Sequence, residues 1–332
     1  MASRAAALAM SYQFQISRHD EGRRLDAVLR SMWPGLPLGA MMKYFRKGAV
    51  RLDGKRCEPK THVTEGQFVW VPWEEPGTVG RAETPEGKIR RLPLDVLYSD
   101  EHVLVINKPA GLLSQPDLKG EDSVVTRALG YAADADYPPQ LVHRLDRNTS
   151  GVMILALDGP TTRALMECFK VRKTDKRYWA VVIGELPRRG RIDVPLLKDP
   201  EKKLVRVAPN GERAVTEYRR LVGSGQFSLA EVHLLTGRTH QIRVHMNHIG
   251  HPLLGDVKYG DFGSKGQLKS LGVRRAMLHA KSLTLTGLPD FLSAIEGRSF
   301  DAPPPEDFRR VLEKLGLAEP LSRQEGESWR KN

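Results

Sequence analysis

Cysteine is nearly absent from these 332 residues. Only Cys57 and Cys168 occur, without paired spacing, which excludes a disulfide framework and a cysteine-rich zinc site. No window reaches about 18 uninterrupted apolar residues, so no membrane span is expected. There is no internal repeat and no low-complexity segment. The opening decapeptide MASRAAALAM has Arg4 as its only basic side chain, which makes neither a full signal peptide nor an Arg-rich transit helix. Met10 reads as a second possible start, and a cytoplasmic protein is the expectation. Acid is also in deficit: 52 Lys and Arg against 40 Asp and Glu give a net charge of +12, which favours a polyanionic partner, nucleic acid before anionic lipid. With 40% hydrophobic and 28% charged residues the chain can bury a sizeable core. At roughly 100–200 residues per domain, one large and one smaller domain are expected.

Four textures follow one another. Residues 18–75 mix basic helical segments with short strands. Leu25, Val28 and Leu29 form one helical stripe, and Met41, Met42 and Phe45 form a second. AVRLDG turns at Asp53-Gly54, and QFVWVP follows the turn at Glu65-Gly66. Residues 76–92 carry Pro, Gly and charge without apolar period and read as a linker. From residue 93 onward strands rich in Val, Ile and Leu (VLVINK, VMILAL, YWAVVIG, SLAEVHLL) alternate with helices, to a last helical stripe of Phe308, Val311, Leu312 and Leu315. Residues 318–332 read as a flexible tail. The expected fold class is α+β.

In the first domain Lys43, Arg46, Lys47, Arg51, Lys55 and Arg56 crowd a helix end and the turn after it. Basic side chains so placed suit backbone phosphates, although a solvated helix with a basic C-terminus has the same pattern.

The most informative stretch is LVHRLDRNTSGVMILAL, residues 141–157, where a polar turn sets Asp146 between Arg144 and Arg147. Neighbouring guanidiniums favour the ionised carboxylate, and Thr149, Ser150 and Gly151 let the chain bend. On residue chemistry alone Asp146 is a nucleophile, a general base or an ion-paired structural residue.

Farther on, Thr236-Gly237-Arg238 makes a corner, Thr239 reads as an N-cap, and HQIRVHMNHI as a short helix stopped by Gly250. Ile242, Met246 and Ile249 fall on its core stripe, and His240, Arg243 and Asn247 on a polar one. His233, His240, His245, His248 and His251 cluster in sequence, but without H-E-x-x-H, a nearby cysteine pair or an acidic third ligand no metal site is expected.

HRLDRNTSG resembles the signature of the RluA-type RNA pseudouridine synthases. VLYSDEHVLVINKPAGLLSQP (96–116), KRYWAVVIG (176–184), LLTGRTHQIRVHMNHIGHPLLGDVKYG (234–260) and MLHAKSLTL (277–285) resemble further blocks of that family in the same order, over residues 93–317. Gly287-Leu288-Pro289 and Ser114-Gln115 depart from the His-Pro and Val-His-type pairs of many members. RRLDAVL, KYFRKGAVRLDGK and EGQFVWVP resemble an S4-type RNA-binding domain, and the run KYFRKGAVRLDGKRCEP is most like the RluC subgroup.

The resemblance implies a catalytic domain built on a mixed, mainly antiparallel sheet with flanking helices, acting without a cofactor to isomerise uridine to pseudouridine. It implies Asp146 as the catalytic carboxylate, attacking either the base or the sugar, Arg243 as its basic partner and Tyr178 as the active-site phenol. It also implies that Arg144 fills the space left by a flipped uridine; flipping is required because a stacked base hides its reacting atoms. Arg147, Arg238 and His240 are expected at the RNA alongside Lys43, Arg46, Lys47, Arg51 and Lys55. The implied substrate is 23S ribosomal RNA, free or in a ribosome-assembly intermediate, with a monomeric enzyme. The alternatives are a tRNA-directed member, a non-catalytic RNA-binding or assembly factor, and a nucleosidase.

Overall fold

The computed structural model describes residues 12–33, 36–73, 92–116, 122–131, 137–199, 204–260 and 265–320. The expected linker, apart from Leu92, most of the expected tail and Met10 lie outside them. The chain forms two compact units: Met1–Leu92 with Ala135–Tyr137 and Asp158–Pro160, and Pro93–Asp134 with Pro138–Leu157 and Thr161–Asn332.

In the first unit the two helical stripes become α1 (Leu25–Met32) and α2 (Leu38–Arg46). Leu25, Val28, Leu29, Met41 and Phe45 are buried, each contributing on the order of 1.5–3 kcal/mol. They pack on a four-stranded antiparallel sheet ordered β1-β4-β2-β3, of β1 (Tyr12–Gln15), β2 (Arg51–Leu52), β3 (Lys55–Arg56) and β4 (Phe68–Val71). Strand β1 begins before residue 18, the start read from the sequence; YQFQ is too short and too polar on one face to announce itself, and it is its pairing with β4 that makes it a strand. Asp53 and Gly54 both have positive φ, at 48° and 75°, the two-residue turn whose twist suits a hairpin. The Asp53 carboxylate accepts from the Phe68 N–H and from Gln67, both at 2.8 Å, tying that turn to β4.

The second unit runs β5 (Val96–Ser99), β6 (Val103–Lys108), α3 (Val124–Tyr131), β7 (Gln140–Leu141), β8 (Ser150–Ala156), α4 (Gly159–Lys170), β9 (Thr174–Ile183), β10 (Arg189–Asp193), β11 (Leu196–Asp199), β12 (Leu204–Val207), β13 (Val215–Gly223) and β14 (Phe227–Leu234). Then come α5 (Gln241–His248), α6 (Lys265–Leu271), β15 (Leu278–Leu285), β16 (Ser299–Asp301) and α7 (Glu306–Lys314). Ten of these strands form one sheet with the spine β10-β13-β14-β9-β15-β8-β6-β5. Strand β15, last of the family-like blocks, sits between β9 and β8, and its pairing with β8 is parallel while the other neighbours are antiparallel.

Alternation along β9 sends Tyr178, Ala180 and Val182 to one face, packed with Ile242 and Met246 of α5. Trp179 and Val181 go to the other face and meet Phe308, Val311 and Leu312 of α7. Gly151 lies where β8 meets β15, at φ +117°, and a Cβ there would fall 2.1 Å from the Ala280 carbonyl oxygen. Only glycine permits this approach, and it brings the turn carrying Asp146 to the centre of the sheet.

Candidate active site

The turn before β8 is held at every residue. The Ser114 hydroxyl brackets Leu145, donating to its carbonyl at 2.8 Å and accepting from its N–H at 3.2 Å. Thr149 N–H closes the turn onto the Asp146 carbonyl at 3.0 Å. Lys108, at the end of β6, donates to the Arg147 carbonyl at 3.0 Å and also to Pro109 and Leu112 at 2.9 and 2.6 Å. Arg275 donates to the Asn148 carbonyl at 3.0 Å and to Leu278 at 3.1 Å, and it pairs with Asp307 of α7. Burial, aided by the charge of Arg275, brings the Lys108 pKa down to about 7, while the Asp146 carboxylate resists the fall.

Asp146 has 29% of its side chain exposed, opening into a pocket of about 500 Å³, within the range usual for small-molecule sites. Its Oδ2 lies 3.4 Å from Arg243 Nη1 and 3.8 Å from His240 Nε2. The sequence reading sets Asp146 between Arg144 and Arg147; the ion pair of the carboxylate comes instead from Arg243 of α5, with the His240 ring at the start of that helix as a second polar neighbour. Arg243 is itself fixed by a bidentate pair with Asp256, at 2.7 and 2.6 Å, and Asp256 is 1% exposed. Burial opposes the guanidinium's charge, but the hydrogen bonds and charge of Asp256, with the charge of Asp146, win and raise its pKa.

The helix start differs from expectation. The N-cap of α5 is His240, in the left-handed region at φ 54°, and not Thr239. The buried Gln241 amide organises the corner: its oxygen accepts from Thr236 and from the Arg238 N–H, and its nitrogen donates to Val215 and Thr216, all between 2.8 and 2.9 Å. A satisfied buried amide outweighs a local hydroxyl cap. His240 Nδ1 lies 2.6 Å from the Tyr259 hydroxyl, and Arg243 stands 5.0 Å over the Tyr259 ring. Burial pushes the His240 pKa below its ordinary value; Asp146 opposes this, and Arg243 and Lys258 add to it.

Tyr178 lines the same pocket, 8% exposed. Its hydroxyl has no hydrogen-bond partner among the described residues. Burial first, and then the Asp146 charge, raise its pKa, so it stays a neutral phenol.

Arg144 and Arg238 also line the pocket, with Lys170, Arg172 and Lys176 adding to its basic rim. Arg144 is exposed, whereas Arg238 pairs with Glu212 and donates to the Arg213 carbonyl. Arg147 is not among the lining residues; its Nε donates to the Gly111 carbonyl at 3.0 Å. In the first unit Lys43, Arg46, Lys47, Arg51 and Lys55 are exposed, with Arg56 beside them, and none has a carboxylate partner among the described residues.

The histidine cluster disperses. His245 is fully buried between Thr216 Oγ1 and the Val194 carbonyl, and His251 meets the Ile183 carbonyl. Among the described residues no group of three His, Cys, Asp or Glu is placed to hold a metal. No described helix is long and apolar enough to cross a membrane.

Lys108, Asp256, Tyr259 and Arg275 carry no role in the sequence reading, and Ser114 enters it only as a departure from the family pattern. Lys108 carries the clearest signal, a charge closing a strand that opens on the apolar run VLVI.

The chain matches the RNA pseudouridylate synthase family over residues 102–248. It is 36% identical over 307 residues to the ribosomal large subunit pseudouridine synthase D of Xanthomonas campestris pv. campestris, covering 89% of each protein. It is 34% identical over 312 residues to the protein of the same name from Escherichia coli K12, covering 90% of this chain and 93% of that one. Among solved structures, human RNA pseudouridylate synthase domain containing 4 shares 31% identity at a TM-score of 0.55, over 67% of this chain and 93% of that one.

Proposed function

The chain belongs to the RluA-type RNA pseudouridine synthases, and on that premise we propose that it isomerises uridine to pseudouridine in large-subunit (23S) ribosomal RNA, with Asp146 as the catalytic carboxylate. The observation that carries this reading is the Asp146–Arg243 pair at 3.4 Å, opening into a basic-rimmed pocket beside Tyr178. A uridine swung out of its helix enters that pocket, and Arg144 at the rim covers the gap it leaves. Asp146 acts on the base or the sugar as the N1–C1′ bond breaks; the uracil turns, C5 bonds to C1′, the C5 proton leaves, and N1 ends protonated. The atoms balance without a redox or group-transfer cofactor. Since Tyr178 stays neutral, it serves as a stacking face and hydrogen-bonding phenol and not as a phenolate base. Arg243, fixed by Asp256, keeps Asp146 oriented.

The ribosomal assignment draws on the relatives' names. The run Lys43–Pro59 resembles the RluC subgroup, but a relative aligned over 307 residues weighs more, and we take the chain to be D-like in target. The first unit acts as an S4-type RNA grip through its exposed basic side chains, whose phosphate contacts add affinity without reading sequence. Chemical mapping of pseudouridine in ribosomal RNA from cells lacking this protein, with and without complementation, tests the assignment. One or more large-subunit positions should lose and regain the modification. Loss confined to tRNA would overturn the ribosomal target.

A further inference from the structure

A second cleft, about 140 Å³, shares Asp146, Thr149 and Arg243 with the active-site pocket. Its other walls include Asn148, Asp256, Val257, Arg274 and Arg275. Three guanidiniums face two carboxylates here, and two of the three are engaged. Arg243 binds Asp256 and Asp146, and Arg275 binds Asp307 and the Asn148 carbonyl. Arg274 is exposed, with no hydrogen-bond or ion-pair partner among the described residues. Among the described residues that leaves Arg274 as the one guanidinium of the cleft open to an anion from outside the protein. Val257, 82% exposed, stands on the wall of the same cleft.

We propose that this cleft is the subsite for a phosphodiester flanking the flipped uridine, with Arg274 as its cation. The inference rests on the pseudouridine synthase reading. Whichever atom Asp146 attacks, the glycosidic bond must come within its reach, so the ribose sits at the wall the two cavities share. The phosphates attached to that ribose then lie immediately outside the large pocket. The second cleft is well below the ~300 Å³ at which nucleoside-sized pockets begin, which suits a phosphate group and excludes a second base. A free guanidinium matches phosphate geometry in a way an ammonium matches less well. Val257 offers an apolar surface to the neighbouring sugar. Such a contact fixes the register of the strand over Asp146 and carries no sequence information.

The test uses the full chain and unmodified large-subunit ribosomal RNA transcribed in vitro, measuring binding and pseudouridine formation across a salt series. Arg274→Gln should weaken binding about tenfold at low salt and make the slope of log affinity against log salt shallower by roughly 0.7–0.9, the signature of one lost phosphate contact. Arg274→Lys should restore the slope but only part of the affinity. An unchanged slope in Arg274→Gln, or a slope in the Lys variant as shallow as in the Gln variant, overturns the subsite. Wild-type protein that forms no pseudouridine in this RNA overturns the underlying reading instead. The exposed position of Arg274 keeps folding out of the comparison.

Discussion

The Lys108 ammonium, fully buried, donates at 3.0 Å to the carbonyl of Arg147, the residue that follows Asp146. The next carbonyl, that of Asn148, is taken at the same distance by Arg275. Two buried basic side chains, one ending β6 and one just ahead of β15, thus fix the backbone that carries Asp146. Lys108→Met removes the ammonium and leaves the Pro109 and Leu112 carbonyls without this donor. A stability loss of ~2–4 kcal/mol is expected in urea unfolding, with a fall in kcat among the molecules that remain folded. Unchanged stability would show that the carbonyls find other partners.

Asp256 is the anchor of Arg243. Asp256→Asn leaves a buried guanidinium short of its bidentate partner, and a cost of about 3–5 kcal/mol is expected. Arg243→Lys keeps the charge but cannot span Asp256 and Asp146 together, so kcat should drop about 100-fold with smaller change in RNA affinity. Equal kcat in the Lys variant would mean that charge alone suffices at this position.

Tyr178→Phe separates packing from chemistry. The hydroxyl has no hydrogen-bond partner among the described residues, so the near-isosteric change should alter stability by less than about 1.5 kcal/mol. Pseudouridine formation should fall by ~10²–10⁴ if the phenol bonds the reacting base. Activity at the wild-type level would reduce Tyr178 to a wall of the pocket.

His279 makes stability pH-dependent. Its ring sits between Ser150 Oγ and the Ala302 carbonyl, each at 3.0 Å, and burial lowers its pKa to about 4. An unfolded histidine titrates near 6.5, so between about pH 6.5 and 4 the unfolded chain holds the extra proton, and stability falls as the pH falls. His279→Gln should flatten that decline by up to about 1.4 kcal/mol per pH unit, read from urea unfolding at pH 7.5, 6 and 5. An identical slope in the variant would place the titration elsewhere.

How much of this was legible in the sequence depends on range. The stripes of α1, α2 and α7 and the hairpin at Asp53-Gly54 are local patterns and read directly. So does the polar turn around Asp146, because a charged turn between apolar strands is conspicuous. What escaped is what the sheet assembles. Asp256, in GDVKYG, reads as a loop carboxylate until it meets Arg243 thirteen residues earlier. Arg275 reads as one of two adjacent arginines, and only the parallel approach of β15 to β8 carries it to Asn148. The adjacent guanidiniums of Arg144 and Arg147 looked like the natural partners of Asp146, yet a tight turn sends neighbouring side chains apart, and the partner comes from a helix 97 residues away.

The central claim is that Asp146 performs the chemistry and does not merely hold RNA. The direct measurement is pseudouridine formation by Asp146→Asn on unmodified large-subunit ribosomal RNA, with affinity for the same RNA measured alongside. The expected result is no detectable pseudouridine and an affinity within a few fold of wild type. Pseudouridine formed at the wild-type rate, or activity that falls only in step with lost binding, would contradict it.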